Sequence, residues 1–111
     1  MTLNEFQEAA AVTNTYPLNK LGISAMFMGL SGEAGEATDK AKKEIRDHID
    51  TAYQDKDRNK AIALEIFDTM WYVSQTAKAL GYTLEEVCSM GLEKLADRAA
   101  RNKIFGEGDY R

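Results

Sequence analysis

Long stretches compatible with helix alternate along the chain with short polar breaks, and the breaks carry helix start and stop signals. Thr2 followed by Glu5 reads as a capping box, in which hydroxyl and carboxylate each satisfy an orphan amide of a helix start. A first helix is predicted from about Leu3 to Asn14, with Phe6, Ala9, Ala10 and Val12 as its apolar side. It breaks at Tyr16-Pro17, because the residue before a proline is pushed out of the helical region. A second helix is predicted from near Lys20 to about Asp47. Its first half is apolar almost all round (Leu21, Ile23, Ala25, Met26, Phe27, Met28, Leu30), and its second half is charged, as in a helix that runs from a core out to solvent. Gly29, Gly32 and Gly35 lower its propensity but thin one side, which suits close packing or the approach of a ligand. The polar stretch from Ile49 to Asn59 reads as a loop. A third helix, Lys60 to about Leu80, stops at Gly81, and Thr83 with Glu86 opens a fourth, about Leu84 to Asn102. The tail from Gly106 to Arg111 reads as a loop. There is no strand alternation and no internal repeat, so the expected fold is an all-α bundle of four to five helices in one domain, residues 1–111.

Composition narrows the class. Hydrophobic residues make up 44% and charged residues 29%, values of a globular chain. The longest apolar stretch, Leu21 to Leu30, is far short of the roughly 20 residues that span a bilayer, so no membrane is expected. The acidic N-terminus is not a secretory signal, and the expected location is cytoplasmic. A net charge of −4 argues against broad binding of duplex nucleic acid but leaves room for a small phosphorylated ligand. The single cysteine, Cys88, excludes an intrachain disulfide and a multi-thiolate zinc site, and the single histidine, His48, excludes imidazole clusters.

The third helix carries the chemistry. Between Ala61 and Ala77 the only charged residues are Glu65 and Asp68, set among Ile62, Leu64, Ile66, Phe67, Met70, Trp71, Tyr72 and Val73. A helix this apolar is expected to be largely buried, where an ionised carboxylate must be paired, protonated or bound to a metal. The two acids are three apart and share a face, and Glu33 and Glu36 repeat that spacing on the second helix. If the two helices pack antiparallel, four carboxylates converge. Four like charges need a cation, and hard oxygen ligands select Mg²⁺, or Mn²⁺, over zinc. The bland alternative is pairing with lysines and arginines. Di-iron chemistry is disfavoured because no Glu-x-x-His pair exists.

The fourth helix has the opposite sign: Lys94, Arg98 and Arg101 form one stripe, with Lys103 and Arg111 beyond. Beside an acidic metal site the stripe reads as a clamp on phosphate oxygens, against the plainer reading of a solvated face paired with Glu93 and Asp97. Trp71, three residues after Asp68, is a candidate to stack on a base or to serve as core.

With Gly29-Leu-Ser-Gly-Glu-Ala-Gly-Glu36, Glu65-Ile-Phe-Asp-Thr-Met-Trp-Tyr72, Lys94-Leu-Ala-Asp-Arg98 and the ending Gly106-Glu-Gly-Asp-Tyr-Arg111, the chain resembles the MazG-like family of nucleoside triphosphate pyrophosphohydrolases. The resemblance runs from the first helix to the last residue. It implies Mg²⁺-dependent hydrolysis of a nucleoside triphosphate to monophosphate and pyrophosphate. Glu33, Glu36, Glu65 and Asp68 match the metal-ligand positions, one of which can accept a proton from water, and Lys94 and Arg98 match positions that meet phosphate. Family members usually carry asparagine where this chain has Gly91, and often glycine where it has Phe67, two departures that bear on nucleotide contacts and base preference. The sibling chemistries are hydrolysis of dUTP and of phosphoribosyl-ATP. The rival from another class is a non-catalytic helical binding module. A homo-oligomer of at least two chains is expected, because two apolar helices exceed what a chain of 111 residues can cover, and the resemblance points to a homodimer or homotetramer.

Overall fold

The computed structural model describes residues 1–102 and 104–109. Four α-helices follow one another, α1 (Leu3–Ala11), α2 (Lys20–Asp47), α3 (Lys56–Ala79) and α4 (Leu84–Ala100), with a 3₁₀ turn, Ile49–Thr51, between α2 and α3. The described residues contain no strand, and no helix among them is long and apolar enough to cross a membrane. Both capping boxes form. The Thr2 hydroxyl accepts from the Glu5 amide at 3.0 Å while the Glu5 carboxylate accepts from the Thr2 amide at 3.0 Å, and Thr83 and Glu86 repeat the exchange. Asn19 caps α2 by accepting from the Gly22 amide at 2.8 Å. Gly81 ends α3 in the left-handed region, with φ +88°.

Three boundaries differ from the sequence reading. Helix α1 stops at Ala11, and tighter i→i+3 bonds carry the chain on to Asn14. Helix α4 stops at Ala100, where Asn102 turns into the left-handed region at φ 56°. The stretch 49–59 is not one loop: Asp55 caps α3 by accepting from the Arg58 amide at 2.9 Å, so α3 begins at Lys56. Residues 56–59 are the solvated first turn of that helix.

Contacts between α2 and α3 run in opposite directions along the two helices: Gly29 lies against Tyr72, Lys40 against Glu65 and Glu44 against Arg58. The pair is antiparallel. Helix α1 lies across α3, and α4 packs on α1 and α3 but not on α2. The junction of α1, α3 and α4 is sealed by polar side chains. Gln7 donates to the carbonyls of Ser74 (3.0 Å) and Tyr82 (3.1 Å) and accepts from the Leu84 amide (3.1 Å). Gln75 donates to the Gln7 carbonyl at 3.0 Å and accepts from Asn14 at 3.0 Å.

The single chain is open. Its radius of gyration is 16.9 Å, against roughly 13 Å for a compact chain of this length. Its accessible surface is 8037 Å², against about 6100 Å² for a compact protein of 12.4 kDa. The expectation that α3 is largely buried therefore holds in one chain only for Ser74–Ala77. Leu64, Ile66 and Phe67 are about half exposed, because α2 covers only one side of α3 and the α1–α4 junction covers only its C-terminal end.

Candidate metal and nucleotide site

Where α2 crosses the middle of α3, the side chains of Glu33, Glu65 and Asp68 converge. Each offers a carboxylate oxygen, and the three oxygens lie within 4.8 Å of one another. Glu65 and Asp68 share a face of α3 because they are three residues apart, and the antiparallel pairing brings Glu33 over them. All three are half-buried. Burial, then the charges of Asp68, Glu65 and Glu36, then a hydrogen bond with Glu65 raise the Glu33 carboxyl above its ordinary range. Glu36 stands one turn further along α2. It is exposed and lies outside the group of three, while near enough for its charge to act on Glu33. Of the four predicted ligands, three are brought together and the fourth flanks them.

The group has a cation at one edge: Lys40 Nζ lies 3.7 Å from Glu65 Oε1. Sequence reasoning passed over this residue. The signal was present, since Lys40 follows Glu33 by seven residues, two helical turns on the same face.

At the other edge is an aromatic cleft of about 230 Å³, lined by Glu33, Asp68, Phe67, Trp71 and Tyr72. Trp71 is fixed there. Its indole N–H donates to Thr13 Oγ1 at 3.0 Å, and its ring meets Tyr72 edge-on with centroids 4.8 Å apart. The Tyr72 and Tyr16 hydroxyls share a hydrogen bond of 2.9 Å. That bond, with burial and the nearby charges of Tyr16, Glu33 and Asp68, pushes the Tyr72 phenol up to about 12. Gly29 admits the Tyr72 ring, because a Cβ at that position would collide with it. Gly32 and Gly35 meet nothing on their side, and α2 is thin and open there.

The basic stripe lies elsewhere in the single chain. Lys94 Nζ is 2.9 Å from Asp109 Oδ1, and Arg98, only 4% exposed, donates to the same oxygen at 3.3 Å and to the Gly108 carbonyl at 3.2 Å. Arg101 pairs with Asp97 at 2.7 Å. Gly91 is half-buried on α4, and a Cβ there would meet nothing within 4 Å. Lys103 and Arg111 lie outside the described residues.

Known proteins add one relative. The chain is 40% identical, over 116 aligned positions covering 100% of both sequences, to the Gene 37 protein of Mycobacterium phage L5. No family model matches the chain, and no solved structure matches it.

Proposed function

We propose that this chain, which belongs to the family of the Gene 37 protein of Mycobacterium phage L5, is a Mg²⁺-dependent nucleoside triphosphate pyrophosphohydrolase of MazG-like type. The observation that carries the reading is the convergence of Glu33, Glu65 and Asp68 beside an aromatic cleft. The donor set suits the metal: three hard carboxylate oxygens, no thiolate and no imidazole. Glu33, Glu65 and Asp68 would hold Mg²⁺, or Mn²⁺, which when bound would neutralise phosphate charge and make water more acidic.

The chain's own residues supply the rest. Phe67, Trp71 and Tyr72 form an apolar wall for a base, beside the carboxylates that mark the phosphate end. Glu36, exposed and outside the group of three, is left to take the proton. The water oxygen bonds to the α-phosphorus, the bridging oxygen between the α- and β-phosphorus leaves with pyrophosphate, and one water proton passes to a carboxylate. Because α4 does not pack on α2, the stripe of Lys94, Arg98 and Arg101 is assigned to phosphate across a contact between copies in a homo-oligomer, and Arg111 is proposed for the same ligand on the resemblance alone. The test is release of pyrophosphate, with and without Mg²⁺, over canonical and modified ribo- and deoxyribonucleoside triphosphates, dUTP and phosphoribosyl-ATP included. Release from at least one triphosphate other than dUTP and phosphoribosyl-ATP supports the reading, and release from phosphoribosyl-ATP alone or from dUTP alone moves the chain to a sibling chemistry. No release from any of them, with the metal present, overturns the hydrolase and leaves the binding module.

A further inference from the structure

Beyond Lys40 the groove between α2 and α3 continues into a second hollow of about 250 Å³, whose polar lining is Lys40, Lys43, Glu44, Asp47, His48 and Arg58. We propose that this hollow binds a pyrophosphate group, with Lys40 as its principal contact. The hydrolase reading supplies only the reason why the anion is the end of a nucleotide.

The first argument is charge. Both carboxylates of the hollow are already committed. Glu44 accepts from Arg58 Nε at 2.8 Å and from the Tyr53 amide at 3.2 Å, and Asp47 is held by Arg46 through two bonds of 2.7 Å. Lys43 is committed too, at 2.8 Å from Asp39. Among the described residues Lys40 has no such partner: its one ion pair there is the 3.7 Å approach to Glu65, longer than a good charge-assisted hydrogen bond. A divalent cation held by Glu33, Glu65 and Asp68 would neutralise Glu65 and free that ammonium, which sits on a flexible four-carbon stem lining the hollow.

The second argument is order. Along the paired helices come the aromatic cleft, then Glu33, Asp68 and Glu65, then Lys40, then the hollow. Glu33 and Lys40 are seven residues apart, about 10 Å of helix rise. A nucleoside triphosphate has its parts in the same sequence, with base and sugar at one end and the β- and γ-phosphates at the other. The aromatic cleft fixes which end goes where, and the hollow is where the pyrophosphate moiety lies before and after cleavage.

The experiment is calorimetric titration of the full-length protein with inorganic pyrophosphate in the presence of Mg²⁺, comparing the unmodified chain with Lys40→Gln and Lys40→Arg, and with Arg98→Ala as the alternative anion site. Circular dichroism checks the fold, and Mg²⁺ titration alone checks the carboxylates. The expected result is a weakening of pyrophosphate binding by about tenfold or more in Lys40→Gln, most of it regained in Lys40→Arg, with Mg²⁺ affinity not reduced. In turnover, KM for the triphosphate should rise by a similar factor. Equal pyrophosphate affinity in Lys40→Gln and the unmodified chain, or a loss seen only in Arg98→Ala, overturns the proposal. The two readings fail separately: a chain that binds pyrophosphate through Lys40 but hydrolyses nothing sinks the hydrolase, and an active chain indifferent to Lys40 sinks this site.

Discussion

The Gln7 side chain accepts a hydrogen bond from the Leu84 backbone amide, so a residue of the first helix caps the start of the last. The Gln7 side-chain NH₂ donates to the Ser74 and Tyr82 carbonyls, and one buried side chain thereby ties α1, α3 and the α3–α4 turn together. Gln7→Leu keeps the volume but strands three backbone groups. Each stranded group costs about 1–3 kcal/mol, and with partial relaxation a total loss of about 2–4 kcal/mol is expected from urea unfolding. An unchanged urea midpoint would remove Gln7 from the framework.

Removing one of three converging negative charges relieves repulsion, so Asp68→Asn should melt no lower than the unmodified chain when Mg²⁺ is absent. Added Mg²⁺ should raise the melting temperature of the unmodified chain and not that of the variant. Pyrophosphate release should fall by about 100-fold or more, since loss of even an outer partner of a metal ligand costs 10–100-fold. Near-normal turnover in the variant would take Asp68 out of the site.

The helix boundaries and caps were legible because they are local. Thr2, Glu5, Thr83, Glu86 and Gly81 act within one turn of themselves, and each does what its spacing predicts. Glu65 and Asp68 were legible for a second reason, since an acid among apolar residues is conspicuous, and Glu33 because it repeats their spacing with Glu36. Asp55 was missed because Asp-Lys-Asp resembles a loop as much as a cap. Gln7, Gln75 and Asp109 were invisible, since their partners lie on other elements and a lone glutamine carries no pattern. The separation of Lys94 and Arg98 from α2 could not be read either, because periodicity fixes the face of a helix but not which neighbour it meets.

Acid should loosen the end of α2. Glu44 is buried, and its carboxyl is held below its ordinary value chiefly by the hydrogen bond from Arg58, against the opposing effect of burial, with help from the Tyr53 amide. A depressed folded value means the folded chain binds fewer protons than the unfolded one, so the contribution is complete above the ordinary carboxylate range and is lost as pH falls through the folded value. Glu44→Gln should therefore melt lower than the unmodified chain near pH 7, and the gap should narrow as pH falls below about 4. A gap constant from pH 7 to 3 would show that the pair does not govern this limb.

Gly29→Ala tests the aromatic wall. Alanine gains about 1 kcal/mol of helix propensity, but its Cβ meets the Tyr72 ring, and overpacking of that kind costs about 1–3 kcal/mol. Displacing Tyr72 also disturbs Trp71, which packs edge-on against it. Lower stability together with altered Trp71 fluorescence is expected. A more stable variant with an unchanged spectrum would mean that the ring is not held against α2.

The last prediction concerns a second copy of the chain. One chain exposes about 1900 Å² more than a compact protein of its mass, and a standard interface removes about 800 Å² from each partner. The place for it is visible on α2. Leu21 is 83% exposed and Met28 73% exposed, seven residues apart on one face, and Gly32 and Gly35 continue that face with nothing opposite them. Large apolar side chains followed by thin positions let another helix approach closely, and a twofold pairing presents the same face from both copies. Light scattering at micromolar concentration should give at least two chains for the unmodified protein. Met28→Glu places charge in the centre of the contact without touching Glu33, Glu65 or Asp68, and should shift the mass toward one chain. Because a monomer leaves Lys94 and Arg98 on α4, away from α2, the same variant should also lose triphosphate affinity. An unmodified protein that scatters as one chain and turns over fully at that dilution would refute both the contact and the shared site.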